Sequence, residues 1–206
     1  SVSAVDPSYL RRQLIRSCLH QFEEGDVMHW WHHVPGRGRR DKGVRTRCSD
    51  DLLWLPYTVS RYIEVTGDDS VLDKKARYIV SPPLSANENE RYESPRVSDF
   101  DGTVYEHCRK AIDLVISRGF GDHGLCLMLG GDWNDGMELV GAGGRGESVW
   151  LSWFFIHVLE RFSPLCAAMG EQDAADKYLG VAHRLTENCQ NAWSNDRYLR
   201  AYYDDG

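Results

Sequence analysis

Asp132 and Asp135 stand three positions apart in Gly130-Gly131-Asp132-Trp133-Asn134-Asp135-Gly136-Met137, with an indole and an amide between them and glycines on both sides. Glycine frees the backbone and lets a ligand approach closely. Carboxylates beside an aromatic face suit a sugar: its C–H patches stack on Trp133 while its hydroxyls donate to acidic oxygens. Asn, Asp and Gly are also ordinary turn formers, so the same stretch reads equally as a polar turn between helices with one Trp in the core.

Two further stretches carry candidate chemistry. His29-Trp30-Trp31-His32-His33 precedes an arginine- and glycine-rich run that reaches Arg47. His29 and His33, at i and i+4, have a spacing that ligates zinc on a helix. A metalloprotease-type acidic residue is missing beside them, however, and Pro35 and Gly36 stop a helix there, so the expectation is a polar ligand loop and no metal. Ser49-Asp50-Asp51 precedes an apolar run and is expected to cap a helix, or to bind a ligand, or to do both.

The bulk properties limit the partners. The chain has 206 residues, 42% hydrophobic and 27% charged, which is ordinary globular composition. Its net charge of -7 argues against nucleic acid as a partner. No apolar run is long enough for a membrane span, so no membrane contact is expected from this segment. Cys18, Cys48, Cys108, Cys126, Cys166 and Cys189 are scattered without CxxC pairing, which suggests reduced thiols and a cytoplasmic setting.

The elements that must position these residues read as helices. Asp6-Pro7 starts one that continues to about 24, with Leu10, Leu14, Cys18 and Phe22 on one face. Leu52, Leu53, Leu55, Val59 and Tyr62 mark a second, ending at Gly67. The Pro- and Glu-rich stretch 81–101 reads as a long surface connection. Helices follow from Val104 to Gly119, from Ser148 through Trp150, Phe155 and Val158 (apolar on most sides), and from about 171 to 193. With no persuasive strand alternation, the expected class is all-α.

Several motifs then recur in one order: Glu24-Gly25-Asp26-Val27, His29-Trp30-Trp31-His32, Gly36-Arg37-Gly38, Val44-Arg45-Thr46-Arg47 and the run from Ser49 to Tyr57. Tyr105-Glu106-His107-Cys108, Gly131 to Met137 and Gly146-Glu147-Ser148-Val149-Trp150 continue the series. Together they resemble glycoside hydrolase family 94, the cellobiose and chitobiose phosphorylases, over nearly the whole chain from Phe22 onward. The wording from Arg45 to Tyr57 is most similar to the phosphorylase-like region of cyclic β-1,2-glucan synthases and to β-1,2-oligoglucan phosphorylases.

The resemblance implies a partial (α/α)6 barrel, a fragment of one catalytic domain incomplete at both ends, whose parent is membrane-attached if it is a cyclic glucan synthase. It implies inverting phosphorolysis of a β-glucan, with inorganic phosphate as co-substrate and no cofactor. Phosphate is already an anion, so one carboxylic acid suffices where an inverting hydrolase needs an acid and a base. Asp135 takes the place of that acid, and an acid that holds its proton near neutrality is expected partly buried, beside Trp133 with Asp132 close by. Arg45, Arg47, Asp50, Asp51, Asp132 and Trp133 fall where the family binds the reacting sugar, with His29 and Trp30 as further candidates. The fragment by itself is expected to be inactive and its partners to be the β-glucan, phosphate and the rest of the parent chain. Two other readings remain: a hydrolase on the same fold, and a non-catalytic glucan-binding segment of a synthase. Two departures from the family pattern stand out: 39–42 looks inserted, and Cys126 stands where many relatives carry Pro.

Overall fold

The computed structural model describes residues 6–35 and 41–206. Gly36-Arg37-Gly38 and the Arg39-Arg40 half of the apparent insertion lie outside the described residues. Helix α1 (Pro7–Cys18) starts where the sequence places it, with Asp6 accepting from the Tyr9 amide at 2.9 Å and Pro7 in the first turn. It ends at Cys18 rather than near 24, because 19–27 doubles back: Phe22 N–H donates to the Asp26 carbonyl at 2.8 Å, and Gln21 bridges Val27.

The expectation of an all-α chain, a partial (α/α)6 barrel, is corrected here: helices and several small antiparallel sheets share the described residues. β1 (Met28–His33) and β2 (Asp41–Thr46) form a hairpin with Trp30 opposite Val44 and His32 opposite Lys42. What reads as an irregular basic loop is thus partly strand, and Asp41 and Lys42 of the apparent insertion open β2. Helix α2 (Trp54–Thr66) ends at Gly67, whose φ of 68° closes the last turn through a 2.8 Å bond to the Ile63 carbonyl. β3 (Lys75–Val80), β4 (Glu90–Glu93) and β5 (Arg96–Thr103) follow, β4 pairing with β2 and β5 with β3. The stretch 81–101 is therefore no mere surface connection.

Helix α3 (Val104–Arg118) opens on a full capping box between Thr103 and Glu106. The two-residue strand β6 (Glu147–Ser148) runs into α4 (Val149–Ala168), and a short turn leads to α5 (Gln172–Gln190). Phe155, Leu159 and Phe162 of α4 are fully buried in one cluster with Tyr178 and Leu185 of α5, Ile112 of α3 and Leu53. Three short strands, β7 (Trp193–Ser194), β8 (Arg197–Tyr198) and β9 (Ala201–Tyr202), end the chain, and β9 pairs back onto β6. All six cysteines are free. Among the described residues no helix is long and apolar enough to cross a membrane.

Candidate functional site

Backbone pairing brings the three motif stretches together. Segment 47–49 lies antiparallel to 129–131: Gly130 N–H donates to the Arg47 carbonyl at 3.0 Å and Ser49 N–H to the Gly131 carbonyl at 2.8 Å. On the other side, Met128 N–H donates to the Gly146 carbonyl at 2.7 Å and Ser148 N–H to the Cys126 carbonyl at 2.8 Å. Gly130 is required by this closeness, since a Cβ there would stand 2.9 Å from the Arg47 Cβ. Gly131 turns the chain at φ 117°, a conformation that side chains other than hydrogen rarely accept. The seam sets Asp50 and Asp51 beside the turn that carries Asp132 to Asp135.

The residues singled out in the sequence divide into two groups. Asp132 is buried and fully engaged: Arg200 Nη2 reaches both its oxygens at 2.5 and 2.7 Å, and Ser148 Oγ donates to it at 2.7 Å. The Asn134 amide adds a fourth bond at 3.1 Å. Asp132 holds the turn rather than facing a ligand. Arg45 is likewise buried, its guanidinium lying on the Phe22 ring and forked onto Asp26 at 2.6 and 2.8 Å. Nη2 also reaches Glu24, and Nη1 donates to the carbonyls of Ser81 and Pro82. Arg47 donates to the Glu88 and Ser85 carbonyls, both at 2.8 Å, and so fastens the segment before β4.

Asp50, Asp51, Trp133 and Asp135 form the other group. Asp50 is buried and makes no cap bond; it accepts from Trp54 Nε1 at 2.9 Å. Burial, reinforced by the nearby Asp51 charge, pushes its carboxyl up to about 6. Asp51 takes both oxygens to His29 Nδ1 at 3.0 Å and accepts from Thr46 Oγ1 at 3.1 Å. The hydrogen bond to Asp51 raises the His29 pKa against the effect of burial, and the charges of Asp135 and Asp50 add to it. Asp135 opens a short 3-10 turn, Asp135–Met137, and is exposed, contrary to the partial burial expected of it. Trp133 is 57% exposed.

Several contributors lie outside the sequence reading. Trp133 begins an aromatic row through Trp150 (5.8 Å between centroids), Phe154 (5.4 Å) and Trp54 (4.6 Å). Trp54 is the same indole that holds Asp50, so the row joins both motif stretches. Arg200 and Asp204 come from the end of the chain, too far away in sequence for any spacing to reveal. Asp204 accepts from the amides of Gly143, Arg145 and Gly146 at 2.6 to 2.8 Å and closes the glycine-rich loop 141–146. Burial opposes ionisation of Asp204, but those three amides hold its carboxyl below the usual range. Glu147 of the Gly-Glu-Ser motif is structural, bonded to the amides of His123 and Leu125 and to the His123 ring. At Cys126 the backbone N–H donates to Ser152 Oγ at 2.9 Å, a bond that proline lacks.

His33 does not join His29: it turns to Asp41 Oδ1 at 3.3 Å. A bulge between Met28 and Trp30 instead aims His29 at Asp51. Beyond this pair, between α1, β1 and α2, lies a groove of about 260 Å³ walled by Leu10, Leu14, Val27 and Leu55. It is mostly apolar, opens at His29 and Asp51, and does not have Asp135, Trp133 or Arg200 in its lining.

Comparison with known proteins extends along the same residues. The family model described as "Glycosyl hydrolase 94 superfamily, catalytic domain" matches residues 1–206. The chain is 42% identical over 200 residues to cyclic beta-(1,2)-glucan synthase NdvB of Rhizobium meliloti (strain 1021), which covers 97% of this chain and 7% of that protein. It is 29% identical over 208 residues to solabiose phosphorylase of Paenibacillus borealis, covering 100% of this chain and 23% of that one. To N,N'-diacetylchitobiose phosphorylase of Vibrio furnissii it is 31% identical over 178 residues, 84% of this chain and 19% of the relative. The chain therefore spans less than a quarter of the length of each of these relatives.

Proposed function

The chain belongs to the glycosyl hydrolase 94 superfamily, and from that premise we propose that it forms part of the catalytic domain of an inverting glycoside phosphorylase. The substrate is a β-glucoside, with β-1,2-glucan the first choice because the glucan synthase is the more similar of the relatives compared. Inorganic phosphate attacks the anomeric carbon from one face while Asp135 protonates the departing glycosidic oxygen on the other. The products are a sugar 1-phosphate and a glycan shortened by one unit. One acid suffices because phosphate brings its own negative charge, in contrast to water in an inverting hydrolase.

The observation that supports this reading is the division of labour among the carboxylates. Asp132 is consumed by Arg200 and Ser148, whereas Asp135, on the turn they hold, is exposed and free to meet substrate. A sugar stacked on Trp133 supplies the desolvation an acid needs. Asp51 and His29 accept and donate to hydroxyls, and the buried Asp50 holds Trp54 in place.

The test uses the full-length protein with β-1,2-, β-1,3- and β-1,4-oligoglucosides and chitobiose, with and without phosphate, followed by phosphorus NMR. Phosphate-dependent sugar 1-phosphate that falls about 10²–10⁴-fold in Asp135→Asn supports the assignment. Free sugar released without phosphate shifts the reading to hydrolysis. Absence of turnover on every substrate points to a glycan-binding role instead.

A further inference from the structure

We propose that His29, Cys48 and Asp51 form a binding site for a borderline divalent metal ion of the zinc type, beside the glycan face. One ligand atom from each of the three residues falls within 4.8 Å of the others. Bonds of about 2.0–2.3 Å in a tetrahedral zinc site set ligand atoms roughly 3.3–3.8 Å apart. The widest separation exceeds that range by at most about 1–1.5 Å, a gap that two side chains share in closing. Imidazole, thiolate and carboxylate are the donors that zinc takes, and the sulfur disfavours magnesium and calcium, which prefer oxygen alone.

Each ligand is held by a separate element. The β1 bulge aims His29, the bridge between Cys48 and Leu129 fixes Cys48, and Asp51 begins the short helical turn ahead of α2. The Thr46 hydroxyl ties two of them together: it donates to Asp51 Oδ2 at 3.1 Å and accepts the Cys48 amide at 3.1 Å. Support of this kind behind the ligands is what orients a metal site. Burial first, and then the charges of Asp51, Asp50 and Asp135, push the free Cys48 thiol up to about 11, so it coordinates only where a bound cation displaces its proton. Three protein ligands leave a fourth position for water, the arrangement of an open zinc site.

Binding replaces hydrogens with metal. The Cys48 thiol gives its proton to solvent and coordinates as thiolate, and His29 offers a neutral ring nitrogen in place of its hydrogen bond to Asp51. Where the phosphorylase reading also holds, the bound ion withdraws Asp51 and His29 from the sugar, so zinc inhibits.

The test titrates the full-length protein with Co²⁺ and then displaces it with Zn²⁺. The expected result is a thiolate-to-cobalt charge-transfer band that vanishes in Cys48→Ser and persists in Cys126→Ser, whose position is buried elsewhere. Zinc affinity should fall about 10–100-fold or more in His29→Ala, a surface change that keeps folding intact if Cys48→Ser does not. A missing band in the wild type, or a band and affinity unchanged in Cys48→Ser and His29→Ala, overturns the site. Metal binding is read apart from turnover, so its failure leaves the phosphorylase reading standing, and the reverse.

Discussion

Asp50 lies buried against Trp54, and the fold must desolvate it before it can ionise. Its folded pKa is raised from 3.8 to about 6 by burial first and then by Asp51, despite the Trp54 bond. Between these values the folded chain holds a proton that the unfolded chain has released, so this group's contribution to stability declines as pH rises through the window. Asp50→Asn keeps an acceptor for the Trp54 indole and carries no charge. Its melting temperature should exceed that of the wild type by roughly a few degrees at about pH 7, and the gap should close near pH 4. Differential scanning calorimetry at the two pH values decides it; a gap that is constant with pH refutes the argument. In the proposed phosphorylase, Trp133, exposed beside Asp135, should behave as a binding residue: Trp133→Ala is expected to raise KM more than it lowers kcat, which steady-state kinetics on the responsive glycan will separate. At this scale the sequence was partly legible. Asp135, Trp133, Asp50 and Asp51 could be singled out because they lie in short motifs, but only the pairing of 47–49 with 129–131 brings the two motifs side by side. Arg45 and Asp132 lie in the same motifs, yet their partners Asp26, Ser148 and Arg200 are distant in sequence, and no local pattern distinguishes a ligand-facing charge from one already paired.

The β1–β2 hairpin shows how an element depends on one buried ion pair. Arg45 on β2 has its guanidinium between the Phe22 ring and Asp26, with Glu24 beside it. Arg45→Ala leaves Asp26 without its partner, and breaking such a pair costs about 3–5 kcal/mol. Arg45→Lys should recover only part of it, because an ammonium cannot fork onto Asp26 while covering Phe22. Chemical denaturation of the two variants gives both values; an Arg45→Ala loss below about 1 kcal/mol would mean the pair is dispensable. The helices α2 to α5 could be read from their apolar spacing, caps and glycine stops. The strands could not, for a physical reason: bulges at Met28/Trp30 and Arg77/Ile79 break the two-residue period, and β4 and β5 are short or exposed and rich in charge. β3 alternates only in its first half, with Ala76 and Tyr78 buried on either side of the exposed Arg77, before the buried Ile79 breaks the period.

In the whole molecule, the candidate site is a junction of segments that helices alone could not assemble. The seam 47–49, 126–131 and 146–148 is backbone pairing, and the last residues of the chain lock it from outside through Arg200 on Asp132 and Asp204 on the loop 141–146. Removing the second lock should therefore act at a distance in sequence. In Asp204→Ala the amides of Gly143, Arg145 and Gly146 lose their acceptor, and hydrogen exchange there should rise while protection in α4 and α5 is retained. Uniform loss of protection across the chain would show that Asp204 supports global stability instead.

The same geometry sets an order of events during synthesis. The helical core from α2 to α4 can begin to pack while translation continues, since its partners emerge early and in sequence. The turn bearing Asp135 cannot: Arg200 emerges 65 residues after that acid. Until then the nascent polypeptide carries the carboxylate of Asp132 without its counterion, and the acid-bearing turn takes its final shape only after the scaffold around it exists.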